Sequence, residues 1–123
     1  MKTYISFYLS QYKIHIFKKS ISEIGNPKYI RFLVKENEPS IIMEAYNKKD
    51  FHSHRVKPNT KDSRGMEVSS YLLCKIIKNR MGWVDGKSYR VQGNVYPSQQ
   101  IVVYDLKSAV EISSSPESRQ VNV

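Results

Sequence analysis

The sequence contains a single cysteine, Cys74, and this scarcity excludes one class of small protein. A lone cysteine cannot form an intrachain disulfide, so the chain is not one of the disulfide-stapled scaffolds common among small secreted domains. Cys74 lies in the apolar segment 72–77, where a thiol usually serves as a small buried hydrophobic group. These features favour a reducing compartment, and we expect a cytoplasmic protein.

Long apolar runs and glycine-rich loops are also missing. No segment approaches the roughly 18 consecutive apolar residues that a membrane-spanning helix requires, and we expect no membrane partner. Polar residues interrupt the apolar stretch of residues 1–17, so it lacks the continuous core of a signal peptide. The five glycines are scattered, which excludes Walker and dinucleotide-binding loops. No other catalytic motif is present, so we expect a protein that is not an enzyme and needs no cofactor.

Acidic residues are scarce relative to basic ones, with 11 Asp+Glu against 20 Lys+Arg and a formal net charge of +9. The positive excess forms three blocks, +6 over residues 1–35, +4 over 48–64 and +4 over 75–90, whereas residues 91–123 carry −1. Basic blocks beside aromatic residues are typical of nucleic-acid-binding proteins. The same composition also fits a protein that binds an acidic partner, or a solvated surface.

Alternating apolar residues predict that much of the chain is β-structure. Residues 28–35 and 41–46 form one predicted hairpin, and residues 88–96 and 101–106 form a second. A strand is predicted at 12–17. Alternation over residues 3–9 either extends that strand or marks a separate arm.

Helical signals occur at three places. Ser69 or Ser70 as N-cap, an apolar stripe and Gly82 as the terminating residue predict the main helix at about 69–81. A capping-box pattern that begins at Ser20 predicts a short helical turn, and a last turn is predicted over 107–112.

The turn Gly25-Asn26-Pro27 follows the short helical turn and has two interpretations. Glycine, asparagine and proline are the residues that stop a helix, and this is the interpretation we favour. Alternatively, its backbone amides precede a basic strand that carries Lys28 and Arg31, so the turn could bind a phosphate.

Two hairpins and one long helix within 123 residues predict a single α+β domain over residues 1–112. In this prediction the sheet is mostly antiparallel and is built from the two hairpins, and the main helix packs on one face of it. Residues 113–123 are rich in serine and poor in apolar residues, so we expect a disordered tail.

The most basic loop, residues 47–65, is the predicted binding surface. A loop of this length in a small domain is usually functional or disordered. Its cations would contact phosphates, and the neighbouring aromatic residues Tyr46 and Phe51 could stack on bases. The predicted nucleic-acid-binding residues are Lys48, Lys49, Arg55, Lys57, Lys61 and Arg64.

Two other functions remain open from the sequence. A sheet edge or the helix face could form a homodimer or bind an acidic protein. The pair His52 and His54, with Asp50 nearby, could belong to a metal-dependent hydrolase, although such a site needs three or four ligands. Two histidines in a basic loop are the simpler interpretation.

Two parts of the chain resemble known sequences. They are residues 25–34 (GNPKYIRFLV), and the combination of residues 81–83 (MGW), 87–91 (KSYRV) and 104–106 (YDL). These segments are similar to a loose set of small uncharacterised proteins of Gram-positive bacteria, over roughly residues 14–110. The resemblance implies a bacterial protein of one domain with a variable tail, and it implies no activity and no functional residue.

Overall fold

The computed structural model describes residues 2–57 and 64–113. Within these ranges the chain forms eight β-strands, two α-helices and one 3-10 turn. In chain order they are β1 (Lys2–Tyr8), β2 (Lys13–Phe17), α1 (Lys18–Glu23), β3 (Tyr29–Val34), β4 (Ser40–Tyr46), β5 (Ser53–Arg55), β6 (Gly65–Ser69), α2 (Tyr71–Met81), β7 (Ser88–Tyr96), the 3-10 turn (Pro97–Gln99) and β8 (Ile101–Ile112).

Backbone pairing joins the eight strands into one antiparallel sheet in the order β5-β3-β4-β8-β7-β1-β2-β6. The sheet curls into a nearly closed barrel with β5 and β6 as its edge strands. Alternate side chains point inward and are buried, such as Ile5 and Phe7 on β1 and Val102, Tyr104 and Leu106 on β8. An eight-stranded barrel is just wide enough for such side chains to fill it.

The prediction of an α+β domain, in which a sheet built from two hairpins carries the main helix at about 69–81 on one face, is wrong, because all eight strands join in one nearly closed barrel. The helix itself is present as α2, capped by the Ser70 hydroxyl and ended by Gly82 in the left-handed conformation. Because the sheet closes on itself, its own side chains fill the inner face and leave no room for a helix. Instead α2 lies across one end of the barrel. There Ser70 N donates to Tyr12 O at 3.0 Å, and Arg80 donates to the carbonyl of Lys35.

Both predicted hairpins are confirmed, as β3–β4 and β7–β8. The stretch 3–9 is a separate strand that pairs with β2 rather than an extension of it. The helical turn predicted over 107–112 is wrong, because β8 continues as a strand to Ile112. Its pairing with β7 shifts register between Arg90 and Gln92, and this irregularity blurs the alternation that would have marked the strand.

The short helix α1 covers the opposite end of the barrel, since it directly follows β2, which runs away from α2. It is held by a buried cluster of hydroxyls. Tyr104 Oη donates to Ser20 Oγ at 3.0 Å, and Thr3 Oγ1 lies 2.7 Å from the same oxygen. Ser20 is therefore a core residue. The predicted capping box is absent, because Phe17 occupies the N-cap position without a side-chain hydrogen bond.

The described strands all belong to this one sheet. The tail predicted over 113–123 lies outside the described residues apart from Ser113. Across residues 2–57 and 64–113, no helix has the length and apolar character needed to span a membrane, and the longest helix there, α2, has 11 residues.

Candidate functional site

A cleft of about 420 Å³ opens where the barrel is not closed, between the edge strands β5 and β6. Residues at the end of β5 form one wall, the start of β6 forms the other, and α1 with the turn after it contributes the remainder. The floor is apolar and includes Ile21 and Met66, which are 6% and 9% exposed. The half-buried Pro27 and Val56 extend this apolar surface.

Two local features of the sequence shape the cleft. At the start of β6, Gly65 has φ 131°, and an added Cβ would overlap the carbonyl oxygen of Ile16 and lie 2.9 Å from Lys18 N. Glycine therefore allows β6 to approach β2 closely. After α1, Gly25 and Asn26 adopt φ 94° and 48°, so the predicted helix stop is confirmed. The same turn also brings Asn26, Pro27 and Lys28 to the cleft.

Four basic residues surround the apolar floor, and none of the described lining residues is acidic. They come from separate parts of the sequence: Lys18 begins α1, Lys28 precedes β3, and Arg55 and Lys57 belong to β5 and the residues after it. All four are exposed. The result is a basic rim above an apolar floor, an arrangement suited to a ligand that combines negative charge with an apolar body.

The structure brings only part of the predicted basic set to this cleft. Arg55 and Lys57 line it, whereas Lys48 and Lys49 are exposed residues after β4 and are not among the residues that line it. Arg64 is adjacent to the cleft through its backbone, whose carbonyl oxygen accepts from Lys18 N at 3.1 Å. Lys61 lies outside the described residues.

Sequence reasoning missed Lys18 and Lys28, because both lie in a different charge block from the loop of residues 47–65. A signal for Lys28 was present in the phosphate-binding interpretation of Gly25-Asn26-Pro27, which places a basic residue directly after a turn. Nothing local marks Lys18, since its position depends on how α1 crosses the barrel end.

The two aromatic residues of the predicted surface, Tyr46 and Phe51, differ in their contacts and exposure. Tyr46 is engaged: its hydroxyl donates to Asp50 Oδ2 at 2.8 Å, and the Arg31 guanidinium lies 4.4 Å from its ring centroid. The hydrogen bond to Asp50 raises the pKa of the Tyr46 phenol and lowers the pKa of the Asp50 carboxyl. Phe51, by contrast, is fully exposed.

His52 and His54, the pair considered for a metal-dependent hydrolase, do not form a metal site with other described residues. His54 pairs with Ile30 and therefore faces the barrel interior, where its ring centroid lies 5.8 Å from that of Phe32. Asp50 closes the turn before β5 by accepting from His52 N at 2.8 Å. Within residues 2–57 and 64–113 there is no group of three or more His, Cys, Asp or Glu residues that could hold a metal ion.

No protein-family model, curated protein or solved structure matches the chain. The resemblance of residues 14–110 to small proteins of Gram-positive bacteria therefore stays a prediction.

Proposed function

We propose that this chain is a small cytoplasmic nucleic-acid-binding protein, with a regulatory rather than an enzymatic role, and that the cleft between β5 and β6 is its binding site. One observation carries the proposal. Four basic residues from distant parts of the sequence converge on one cleft whose described lining contains no acidic residue. Such a cluster neutralises consecutive phosphates, and phosphate contacts dominate nucleic-acid affinity.

The whole-chain charge supports the same conclusion. A net charge of +9 attracts a polyanion from a distance, and the cleft then offers a place where the polyanion is held. Within residues 2–57 and 64–113, the ion pairs lie outside this rim: they join Lys13 to Glu67, Arg31 to Glu44, Lys35 to Glu38, Lys78 to Asp85 and Lys87 to Glu111.

The experiment is a titration of a fluorescently labelled single-stranded oligonucleotide, followed by anisotropy at low salt. Charge reversal at the cleft, Arg55→Glu with Lys57→Glu, is expected to weaken binding by at least about tenfold, because two phosphate contacts are lost and replaced by repulsion. The matched control is Lys48→Glu with Lys49→Glu, which changes the net charge equally outside the cleft.

The proposal requires a clear difference between the two double variants. Equal losses would mean that only net charge matters and that the cleft is not the site. Binding to an acidic polypeptide but to no nucleic acid at low salt would contradict the proposal and favour the acidic-partner alternative.

A second candidate function, homodimer formation, is favoured by the outer surface of α2. Leu72 and Ile76 lie one turn apart and are 69% and 38% exposed, and Tyr71 beside them is 52% exposed. Exposed apolar neighbours of this kind are typical of interaction surfaces. Light scattering after size exclusion tests for a dimer, which Leu72→Asp should dissociate. A strict monomer at high concentration would exclude this candidate.

A further inference from the structure

We propose that the cleft accepts one unpaired nucleotide of a single strand, with the base against the apolar floor and the adjoining phosphates against the basic rim. This inference rests on the proposed function. It adds the form of nucleic acid that the protein binds and the part of the nucleotide that enters the cleft.

The apolar floor of the cleft indicates that the ligand has an apolar part as well as phosphates. A site that bound only phosphates would need cations and water, and an apolar floor would contribute nothing to it. Here Ile21, Val56 and Met66 line the same cleft as the basic residues, so a bound polyanion would also cover apolar surface. A nucleobase has two apolar faces that pack on such side chains, and a methionine thioether makes favourable contacts with aromatic rings.

The volume of the cleft matches one nucleotide. A cleft of about 420 Å³ falls within the range of pockets that hold small organic ligands, roughly 300–1,000 Å³. This space accommodates one nucleotide and is too small for a base-paired duplex. A duplex would have to extrude a base to fill the cleft, and the loss of stacking and pairing would weaken its binding.

The surrounding elements also favour a single strand. Reading a duplex in its major groove commonly requires a helix or a β-ribbon that protrudes from the protein. Among the described elements, the helix beside the cleft is α1, which has six residues and packs on the barrel end through the buried Ser20. The longer helix, α2, lies at the opposite end.

Asn26 supplies the chemistry for contact with a base edge. It is the one uncharged polar side chain among the described lining residues, and its amide both donates and accepts hydrogen bonds. Its φ of 48° lies in the left-handed region, which asparagine and glycine adopt more readily than other residues. Asn26→Gly therefore removes the amide while keeping a residue that suits the turn.

The test compares three probes of equal length by anisotropy at one fixed salt concentration: a single-stranded oligonucleotide, the same strand annealed to its complement, and a strand with abasic sites in place of most bases. The abasic strand keeps the phosphates and loses the bases. We expect the intact single strand to bind at least about fivefold more tightly than either of the other two probes.

Two variants and one control test whether the tighter binding of the intact single strand arises in the cleft. Val56→Gln makes the floor polar without changing the charge, and it should reduce binding of the intact strand to the level of the abasic strand. Val110→Gln, at a position 58% exposed on β8, is the matched control and should bind as the wild type does. Asn26→Gly should reduce the difference in affinity between strands of different base composition and leave binding of the abasic strand unchanged.

The outcomes separate this inference from the proposed function. If no probe binds at low salt, the proposed function fails. If all three probes bind with the same affinity and Val56→Gln has no effect, the protein binds nucleic acid through charge alone, and the inference of a nucleotide pocket is overturned. Circular dichroism of each variant establishes whether it is folded. If a variant is unfolded, the affinities of the wild-type protein for the three probes alone test the inference.

Discussion

The hydroxyl of Tyr104 in β8 donates a hydrogen bond to the hydroxyl of Ser20 in α1, at 3.0 Å, and this bond links the barrel interior to the cleft. Both residues are fully buried. Ser20 lies between Lys18 and Ile21 in the sequence, and these two residues contribute to the basic rim and the apolar floor. The shape of the cleft therefore depends on a contact made inside the barrel.

Replacement of Tyr104 by phenylalanine tests this dependence. The change removes the donor to Ser20 and should lower the free energy of unfolding by about 1 kcal/mol, since a buried hydrogen bond is lost. We also expect weaker binding of single-stranded nucleic acid, because α1 is held less firmly. Urea denaturation and anisotropy measure the two effects. Tyr96→Phe, at an exposed tyrosine, is the control, and a Tyr104→Phe variant as stable as this control would contradict the prediction.

Gly65 is expected to tolerate alanine less well than Gly86 does. Both glycines have positive φ, so alanine is strained at either position. At Gly86 an added Cβ meets nothing within 4 Å, whereas at Gly65 it overlaps the backbone of β2. Thermal denaturation should therefore show a clearly larger fall in melting temperature for Gly65→Ala. Equal falls would indicate that β6 does not require this close approach.

The local elements were largely predictable, but their arrangement was not. Alternation identified both hairpins, and the signals at Ser70 and Gly82 located α2, because caps and periodicity act between near neighbours. Closure of the sheet depends on strand twist and on pairings such as Ile5 with Val91, which join distant segments and leave no local pattern. The position of α2 at a barrel end, instead of on a sheet face, follows from that closure.

The same limit applies to the cleft. Arg55 and Lys57 could be predicted because they belong to one basic loop. Lys18 and Lys28 lie beside these two residues because of the way β2, α1 and β3 are arranged around the barrel end, and no local pattern predicts that arrangement. Charge counting therefore selected Arg55 and Lys57, which line one wall of the cleft, whereas the positions of Lys18 and Lys28 depend on the three-dimensional fold.

His54 makes the stability of the fold sensitive to mild acid. Burial lowers its pKa below the ordinary value of 6.5, so the unfolded chain takes up a proton at a higher pH than the folded chain does. The free energy of unfolding should not depend on this group well above pH 6.5, and it should fall as the pH drops through 6.5 toward the lower pKa of the folded state. Denaturant titrations at several pH values measure the fall. His54→Gln should reduce the fall, and a fall of the same size in His54→Gln and the wild type would contradict the prediction.

Cys74 should be unreactive in the folded protein. Burial in α2 raises the pKa of its thiol to about 12, so almost no thiolate exists at neutral pH. A chromogenic disulfide reagent at about pH 8 should label the protein only as fast as it unfolds, and should label it rapidly in denaturant. Rapid labelling without denaturant would show that α2 does not bury Cys74 against the barrel end.

The salt dependence of binding tests the central claim most directly, namely that the cleft between β5 and β6 holds the phosphates of a nucleic acid. The logarithm of the affinity for a single-stranded oligonucleotide falls linearly with the logarithm of the salt concentration, with a slope of about 0.7 for each phosphate neutralised. For Lys28→Gln with Arg55→Gln, we predict a slope smaller by about 1.4 than that of the wild type. The same slope in the wild type and this double variant would contradict the account.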